Sequence, residues 1–330
     1  MKYFVTGATG FIGGALARSL VARGHQVVAL VRSPEKARDL SALGIEIYKG
    51  DITEKETIRA PMTGVDGVFH VAAWYKIGAK DKHVAETINV GGTRNVLEVM
   101  RDLSIPKGVY TSTLAIFSDT HGRLEDERYR FDGRHISEYD RTKAAAHYDV
   151  ALPMIAAGLP LVIVQPGAVY GPGDASSLGD ALRQYLQGKL PLVPQKSAFT
   201  WAYIDDVVEG HILAMEKGVP GESYIIAGPP HTLVEVLQTA ERITGIPAPR
   251  LQAPPAMLSL ASGIMGVVEQ VVTLPEAYTS EGLRASAGVT YLGTNAKAKR
   301  ELGYAPRSLE DGLRLTVAYE MERLGVKAKK

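Results

Sequence analysis

Short β-branched runs alternate with longer helical stretches through the first half of the chain. Runs at 3–6, 26–31, 45–49, 67–71, 108–112 and 161–165 read as strands, and windows at 12–22, 35–43, 54–60, 84–103 and 138–157 read as helices. The run VVALV at 27–31 is apolar at successive positions, which suits a sheet covered by helices on both faces. Strand–helix alternation of this kind needs crossover connections. It predicts an α/β protein of Rossmann type, a doubly wound parallel sheet with its ligand site at the carboxyl ends of the strands.

After residue 165 the rhythm breaks. Gly/Pro clusters such as PGAVYGPGD (166–174) and AGPPH (227–231) surround helical windows at 205–216 and 232–244, predicting a smaller, loop-rich C-terminal substrate lobe. The expected division is a dinucleotide-binding domain over 1–170, which also receives elements from about 198–227, and a substrate lobe over 171–330. The apolar stretch 257–272 carries Ser259, Ser262, Glu269 and Gln270 and falls short of the roughly 20 residues that cross a bilayer. A buried or interfacial helix is expected there.

Composition narrows the function. The chain has 330 residues, 45% of them hydrophobic, and its 37 Lys+Arg against 36 Asp+Glu leave a net charge of +1. No global field and no dense basic block recruits nucleic acid, and neither nucleic acid nor membrane is expected as a partner. With no cysteine, disulfides, thiolate metal sites and thiol nucleophiles are excluded. The histidines form no HxH or HxxxH pair, so no metal is expected. The first residues lack the features of a secretory leader, and a cytoplasmic location is the expectation.

The candidate chemistry begins at TGATGFIG, residues 6–13, between the first strand and the first helix. Glycines at 7, 10 and 13 permit a tight turn and close approach of a pyrophosphate to exposed N–H groups at a helix N-terminus. The second strand ends in Arg32-Ser33, where an NAD-selective fold usually carries an acid for the ribose hydroxyl. Arg32, with Lys36 and Arg38 beyond it, can pair with a 2′-phosphate, so NADP is favoured and NAD remains possible. A solvated basic face is the plain alternative. Tyr139 and Lys143 stand four apart in a helical window and share a face. Positive charge beside the phenol, from Lys143 and an oxidised nicotinamide, is expected to lower its pKa and make Tyr139 a proton carrier. The hydroxyls Thr111, Ser112 and Thr113 at a strand end are expected to meet that pair at one crevice.

Together these motifs resemble the extended short-chain dehydrogenase/reductase family over most of the chain. The glycine motif, Gly7 through Thr9, Gly10, Phe11, Ile12 and Gly13, is followed by Asp51-Ile52, similar to an adenine contact. HVAA at 70–73 (Val71, Ala72 and Ala73 beside the cofactor) and NVGGTRNVL from Asn89 match the next segments. YDRTK (139–143), QPGAVYGPG (165–173, with Pro166, Gly167 and Val169 along the nicotinamide) and YIDDVV (203–208) complete the series. The resemblance implies Tyr139 as acid/base, Lys143 as ribose clamp and pKa modifier, and Thr113, more than Ser112, as the substrate hydrogen-bonding residue. For Asn89 it leaves a structural and a proton-relay role open.

Members that bind nucleotide sugars commonly carry an arginine near the place that Phe199 takes here, and an aromatic ring covers apolar substrate rather than a diphosphate. The balance resembles dihydroflavonol 4-reductase-like members. Trp74 and Tyr75 are either cleft walls or core aromatics. The expected activity is NADP(H)-dependent reduction of a small organic carbonyl, or oxidation of the alcohol. A sugar or nucleotide-sugar epimerase or dehydratase, and a non-catalytic dinucleotide sensor, are the alternatives. The resemblance also suggests a homodimer built through a four-helix bundle from the windows 84–103 and 138–157.

Overall fold

A computed structural model describes residues 1–78, 81–272 and 274–327. In chain order the strands are β1 (Lys2–Thr6), β2 (Gln26–Val31), β3 (Glu46–Lys49), β4 (Gly67–His70), β5 (Gly108–Thr111), β6 (Leu161–Pro166) and β7 (Ala168–Tyr170). They continue with β8 (Val193–Pro194), β9 (Ala198–Tyr203), β10 (Ser223–Ile226), β11 (Pro230–Thr232), β12 (Gln252–Ala253) and β13 (Thr290–Tyr291). The main sheet has seven parallel strands in the order β10-β6-β5-β4-β1-β2-β3. Strand order reverses at β1, so the crevice between β1 and β4 is the topological switch point where ligands bind in such sheets.

Both faces are buried. One carries Val5, Val27, Ala29, Val109, Val162 and Val164 under the helices Phe11–Ala22 and Ile204–Lys217. The other packs Phe4, Val28, Val68, Tyr110 and Ile163 under Lys55–Met62 and Thr93–Asp102. Each fully buried Val, Leu or Phe contributes about 1.5–3 kcal/mol, so the near-continuous apolar strands are what this two-sided arrangement requires. The long windows expected at 84–103 and 138–157 form, but each is interrupted by a π-helical turn, at Thr87–Gly92 and Ala146–Ala151. The expected helix at 35–43 splits into a 3-10 turn, Pro34–Ala37, and the helix Arg38–Ala42.

A second sheet, β11-β9-β13 with β7 beside β9, forms the floor of the C-terminal part. Its seam with the main sheet is a close backbone contact: a Cβ built on Gly167 lies 1.9 Å from the Thr200 carbonyl oxygen. The helix Pro255–Val268 forms within the late apolar stretch, but only Leu258 and Ser262 of it are buried. It is therefore not a core helix. No helix among the described residues is long and apolar enough to cross a membrane.

Gly167→Ala is expected to separate the two sheets and cost about 2–3 kcal/mol, read as a lower urea midpoint. Gly263→Ala, a helix position with open space around it, should instead gain about 0.5–1 kcal/mol.

Candidate active site

The turn after β1 is shaped by its glycines. Gly7 adopts φ 74°, and its carbonyl accepts the Gly10 N–H at 2.9 Å. A Cβ on Gly13 would lie 2.2 Å from that carbonyl oxygen, and one on Gly7 would lie 2.8 Å from the Ala72 nitrogen. The helix Phe11–Ala22 therefore starts against the turn, and the segment after β4 runs beside it. Its N-cap, Gly10, supplies no side-chain acceptor, and no acid lies in the first turn. Exposed Thr9 and Gly10 border a cradle of uncapped N–H groups at the positive end of a helix. Phe11 and Ile12 pack toward the second lobe's cluster around Trp201 and Leu313. A diphosphate fits this cradle, where any side chain at 7 or 13 would collide.

Hydrogen bonds lock the floor beneath the cradle. Thr6 Oγ1 accepts the Val71 and Ala72 N–H groups, each at 3.1 Å, which leaves its own proton for His70 Nδ1 at 2.8 Å. His70 Nε2 then carries the imidazole proton and donates to Thr93 Oγ1 at 3.0 Å. Burial, with the Lys143 charge nearby, pushes the His70 pKa down to about 3 and keeps it neutral. Ala73 is the exposed end of this segment.

Beyond β2, Arg32, Lys36 and Arg38 are exposed, and none has a carboxylate within 4.0 Å among the described residues. Asp51 Oδ1 accepts the Thr53 N–H and hydroxyl, both at 2.9 Å, and so shapes its own turn. Ile52 is buried where a Cβ on Gly92 would meet it, and its carbonyl accepts Asn95 Nδ2 at 2.9 Å. At the other side of the crevice Pro166 and Gly167 close β6, Val169 lies in β7, and the buried Gln165 Oε1 has no hydrogen-bond partner.

The helix Glu138–Ala145 begins at Ser137, whose hydroxyl accepts the Asp140 N–H at 3.0 Å. Tyr139 and Lys143 follow one turn apart, but their heads diverge. Lys143 is buried, with Nζ donating to the Thr111 carbonyl at 2.8 Å and the Tyr110 hydroxyl at 3.1 Å. Burial lowers its pKa to about 7. Lys143 by itself does not lower the Tyr139 pKa. Burial and neighbouring Tyr75 raise it well above the ordinary phenol value, and a hydrogen bond from Thr113 opposes them only in part. Burial is the main cause, while the Lys143 ammonium gives its protons to the Thr111 carbonyl and the Tyr110 hydroxyl. With its pKa raised, the Tyr139 phenol holds its proton.

The three hydroxyls at the end of β5 separate by partner. Thr111 Oγ1 pairs with His211 Nε2 at 2.8 Å and Ser112 Oγ with His147 Nδ1 at 2.9 Å, both buried. Only Thr113 meets Tyr139. Asn89, in the π turn, accepts the Trp74 N–H at 2.7 Å and donates to the Trp74 carbonyl and to Thr142 Oγ1. Its carboxamide is occupied in tying the loop after β4 to the catalytic helix. Tyr75 sets its ring edge against Tyr139 at 4.9 Å and is 49% exposed, a wall rather than a core residue.

Phe199 stacks on Tyr291 at 5.7 Å, and the Tyr291 hydroxyl donates to Asp140 Oδ2 at 3.0 Å. Ser137 and Ser118 hydroxyls also donate to this carboxylate. Burial nevertheless raises the Asp140 pKa to about 7. Neither Asp140, Tyr291 nor Ser118 was signalled by any local motif. Among the described residues no group of His, Asp and Glu is placed to hold a metal.

A family model described as NAD dependent epimerase/dehydratase family matches residues 3–227. The chain is 32% identical to Sterol demethylase protein B of Methylococcus capsulatus, over 98% of this chain and 99% of that one. It is 32% identical to a putative dihydroflavonol 4-reductase of Synechocystis, covering 94% and 92%. It is 33% identical to 4-hydroxy-2-methyl-3-oxo-4-farnesyl-3,4-dihydroquinoline-1-oxide ketoreductase of Stigmatella aurantiaca, covering 93% and 92%.

Asp140 generates a pH prediction. Its folded pKa of about 7 lies above its ordinary 3.8, so across that interval the folded state keeps a proton that the unfolded chain has lost. Stability therefore falls as pH rises through it. Asp140→Asn should flatten the dependence of Tm on pH between about pH 5 and about pH 7, measured by thermal unfolding.

Proposed function

Because the chain belongs to the NAD dependent epimerase/dehydratase family and is an NAD(P)-dependent oxidoreductase, we propose that it reduces the carbonyl of an apolar organic substrate with NADPH. The observation that carries this reading is the protonated Tyr139 phenol, hydrogen-bonded by Thr113 and walled by Tyr75. Thr113 and Tyr139 bind the carbonyl oxygen through their hydroxyls. The nicotinamide, when bound, supplies the hydride. Tyr139 Oη gives its proton to the oxygen as negative charge develops there, leaving a phenolate and an alcohol, so hydride and proton together account for the reduction. A raised phenol pKa keeps that proton in place at working pH until the oxygen becomes basic enough to take it.

The glycine cradle would hold the cofactor diphosphate, and Arg32, Lys36 and Arg38 the 2′-phosphate, since these cations have no acid to pair with. Lys143, fixed on the Thr111 carbonyl, would present its remaining proton toward the ribose. Tyr75 and Phe199 give the substrate apolar walls. The relatives named for a farnesyl-bearing ketone and for sterol demethylation support an apolar substrate class. The helices Thr93–Asp102 and Glu138–Ala145, with their π turns, pack side by side, as two copies would need for a four-helix interface; a homodimer is part of the proposal.

A panel of apolar ketones assayed for NADPH oxidation tests the reading. Stoichiometric consumption is expected; conversion of a sugar nucleotide with no net consumption would establish the epimerase alternative instead. Tyr139→Phe should lower turnover about 10²–10⁴-fold while leaving NADPH binding intact by fluorescence titration. Arg32→Ala should weaken NADPH binding about 10–100-fold, the loss of one charge-assisted contact, and leave NADH binding unchanged.

A further inference from the structure

The helix Pro255–Val268 and the turn after it form the most exposed apolar surface among the described residues. Met257 is 48%, Leu260 69%, Ile264 58%, Val267 67% and Val271 88% exposed. These positions recur at intervals of three and four, so they form one stripe along one face. Contiguous apolar surface of this extent is rare on a monomeric protein and marks an interaction face. No Lys, Arg, Asp or Glu occurs from 251 to 268. Glu269, which follows, is turned inward and accepts the Ser280 N–H at 2.9 Å and the Ser280 hydroxyl at 2.6 Å.

Cations border the stripe. Arg250 precedes the helix, and Lys196 lies near its start, since Pro255 and Lys196 both come within 4 Å of the Cβ position on Gly288. Arg284 stands on the helix Ser280–Ala285 that packs against it. All three are exposed, and none has a carboxylate within 4.0 Å among the described residues. Tyr278, 54% exposed, adds an amphipathic ring at the border. The stripe itself holds Met, Leu, Ile and Val, without the Trp, Tyr and Arg anchors on which protein–protein hot spots depend. Aliphatic side chains in a plane, rimmed by cations, match a fluid anionic surface better than a shaped protein partner.

We propose that this face docks on an anionic lipid bilayer, lying in the interface without crossing it. The expectation of no membrane partner rested on an apolar stretch too short to cross a bilayer, which does not bear on a helix that lies in its surface. The inner end of the same hairpin touches the catalytic helix. Glu281 Oε1 accepts the Glu138 N–H at 2.9 Å, and Thr279 fills the space beside Gly78. Docking therefore places the cleft beside the lipid surface. Delivery of an apolar substrate from the bilayer rests on the reductase reading; docking itself does not.

Flotation on vesicles of phosphatidylcholine containing about one third phosphatidylglycerol tests docking without reading any chemistry. The native chain is expected to float with these vesicles and less with phosphatidylcholine alone. Leu260→Glu with Ile264→Glu should lower partitioning about tenfold or more while Tm stays unchanged. Val271→Glu, at the most exposed position, is the independent second variant. Arg250→Gln with Arg284→Gln should remove the preference for anionic vesicles. A native chain that stays in the aqueous fraction overturns the proposal, as do acidic variants that float like it. So does a native dimer that those variants split, because the face would then join two copies.

Discussion

An ammonium group inside a protein must be given oxygen atoms, because an unpaired buried charge costs several kcal/mol. Lys143 meets that demand with the Thr111 carbonyl and the Tyr110 hydroxyl, and the Tyr110 ring lies 4.7 Å from Nζ. The catalytic helix is thereby held against the end of β5, in the register that sets Tyr139 beside Thr113. The constraint continues outward. Tyr110 stacks on His70 at 5.5 Å, His70 bonds Thr6 and Thr93, and Thr6 holds the backbone that passes the glycine turn. One connected polar path thus joins the cradle, the floor of the crevice and the proton donor. Each buried member has a partner, the condition under which such networks rigidify instead of destabilise.

That rigidity explains how a single helix can serve two purposes. Lys143 is oriented by the sheet, while Tyr139, one turn earlier, meets Thr113 and the Tyr75 ring. The phenol keeps a high pKa because it is buried beside Tyr75, and Thr113 opposes this only in part. Under the proposed reading this suits proton donation. The oxidative direction needs a further positive charge near the phenol, which an oxidised nicotinamide carries.

Much of this was legible in the chain. Gly7, Gly10 and Gly13 act through backbone geometry, so a short string carries their whole meaning, and the Tyr139–Lys143 spacing fixes a shared helix face. The parallel sheet follows from strands that are apolar at every position. What could not be read were pairings across long separations. Asp140 and Tyr291 are 151 residues apart, and Thr111 meets His211 across 100. No spacing rule links them. The direction of the Lys143 head was hidden for the same reason, since its partners lie on a strand more than thirty residues earlier. The stretch from 257 was legible as apolar, but its exposure depends on what packs beside it, and only Leu258 and Ser262 of its helix are buried.

The Asp140–Tyr291 contact shows what those long-range pairs do in the site. Tyr291 lies on β13 beside Phe199 on β9, so the aromatic wall belongs to the second lobe. Its hydroxyl is anchored on the residue next to the proton donor. Phe199 is therefore joined through Tyr291 and Asp140 to the start of the helix Glu138–Ala145. Three hydroxyls converge on Asp140 and offset part of the cost of burying it. The carboxyl group thus links the aromatic pair Phe199–Tyr291 to the start of the helix that carries Tyr139, so the packing of β9 and β13 and the placing of that helix are set together.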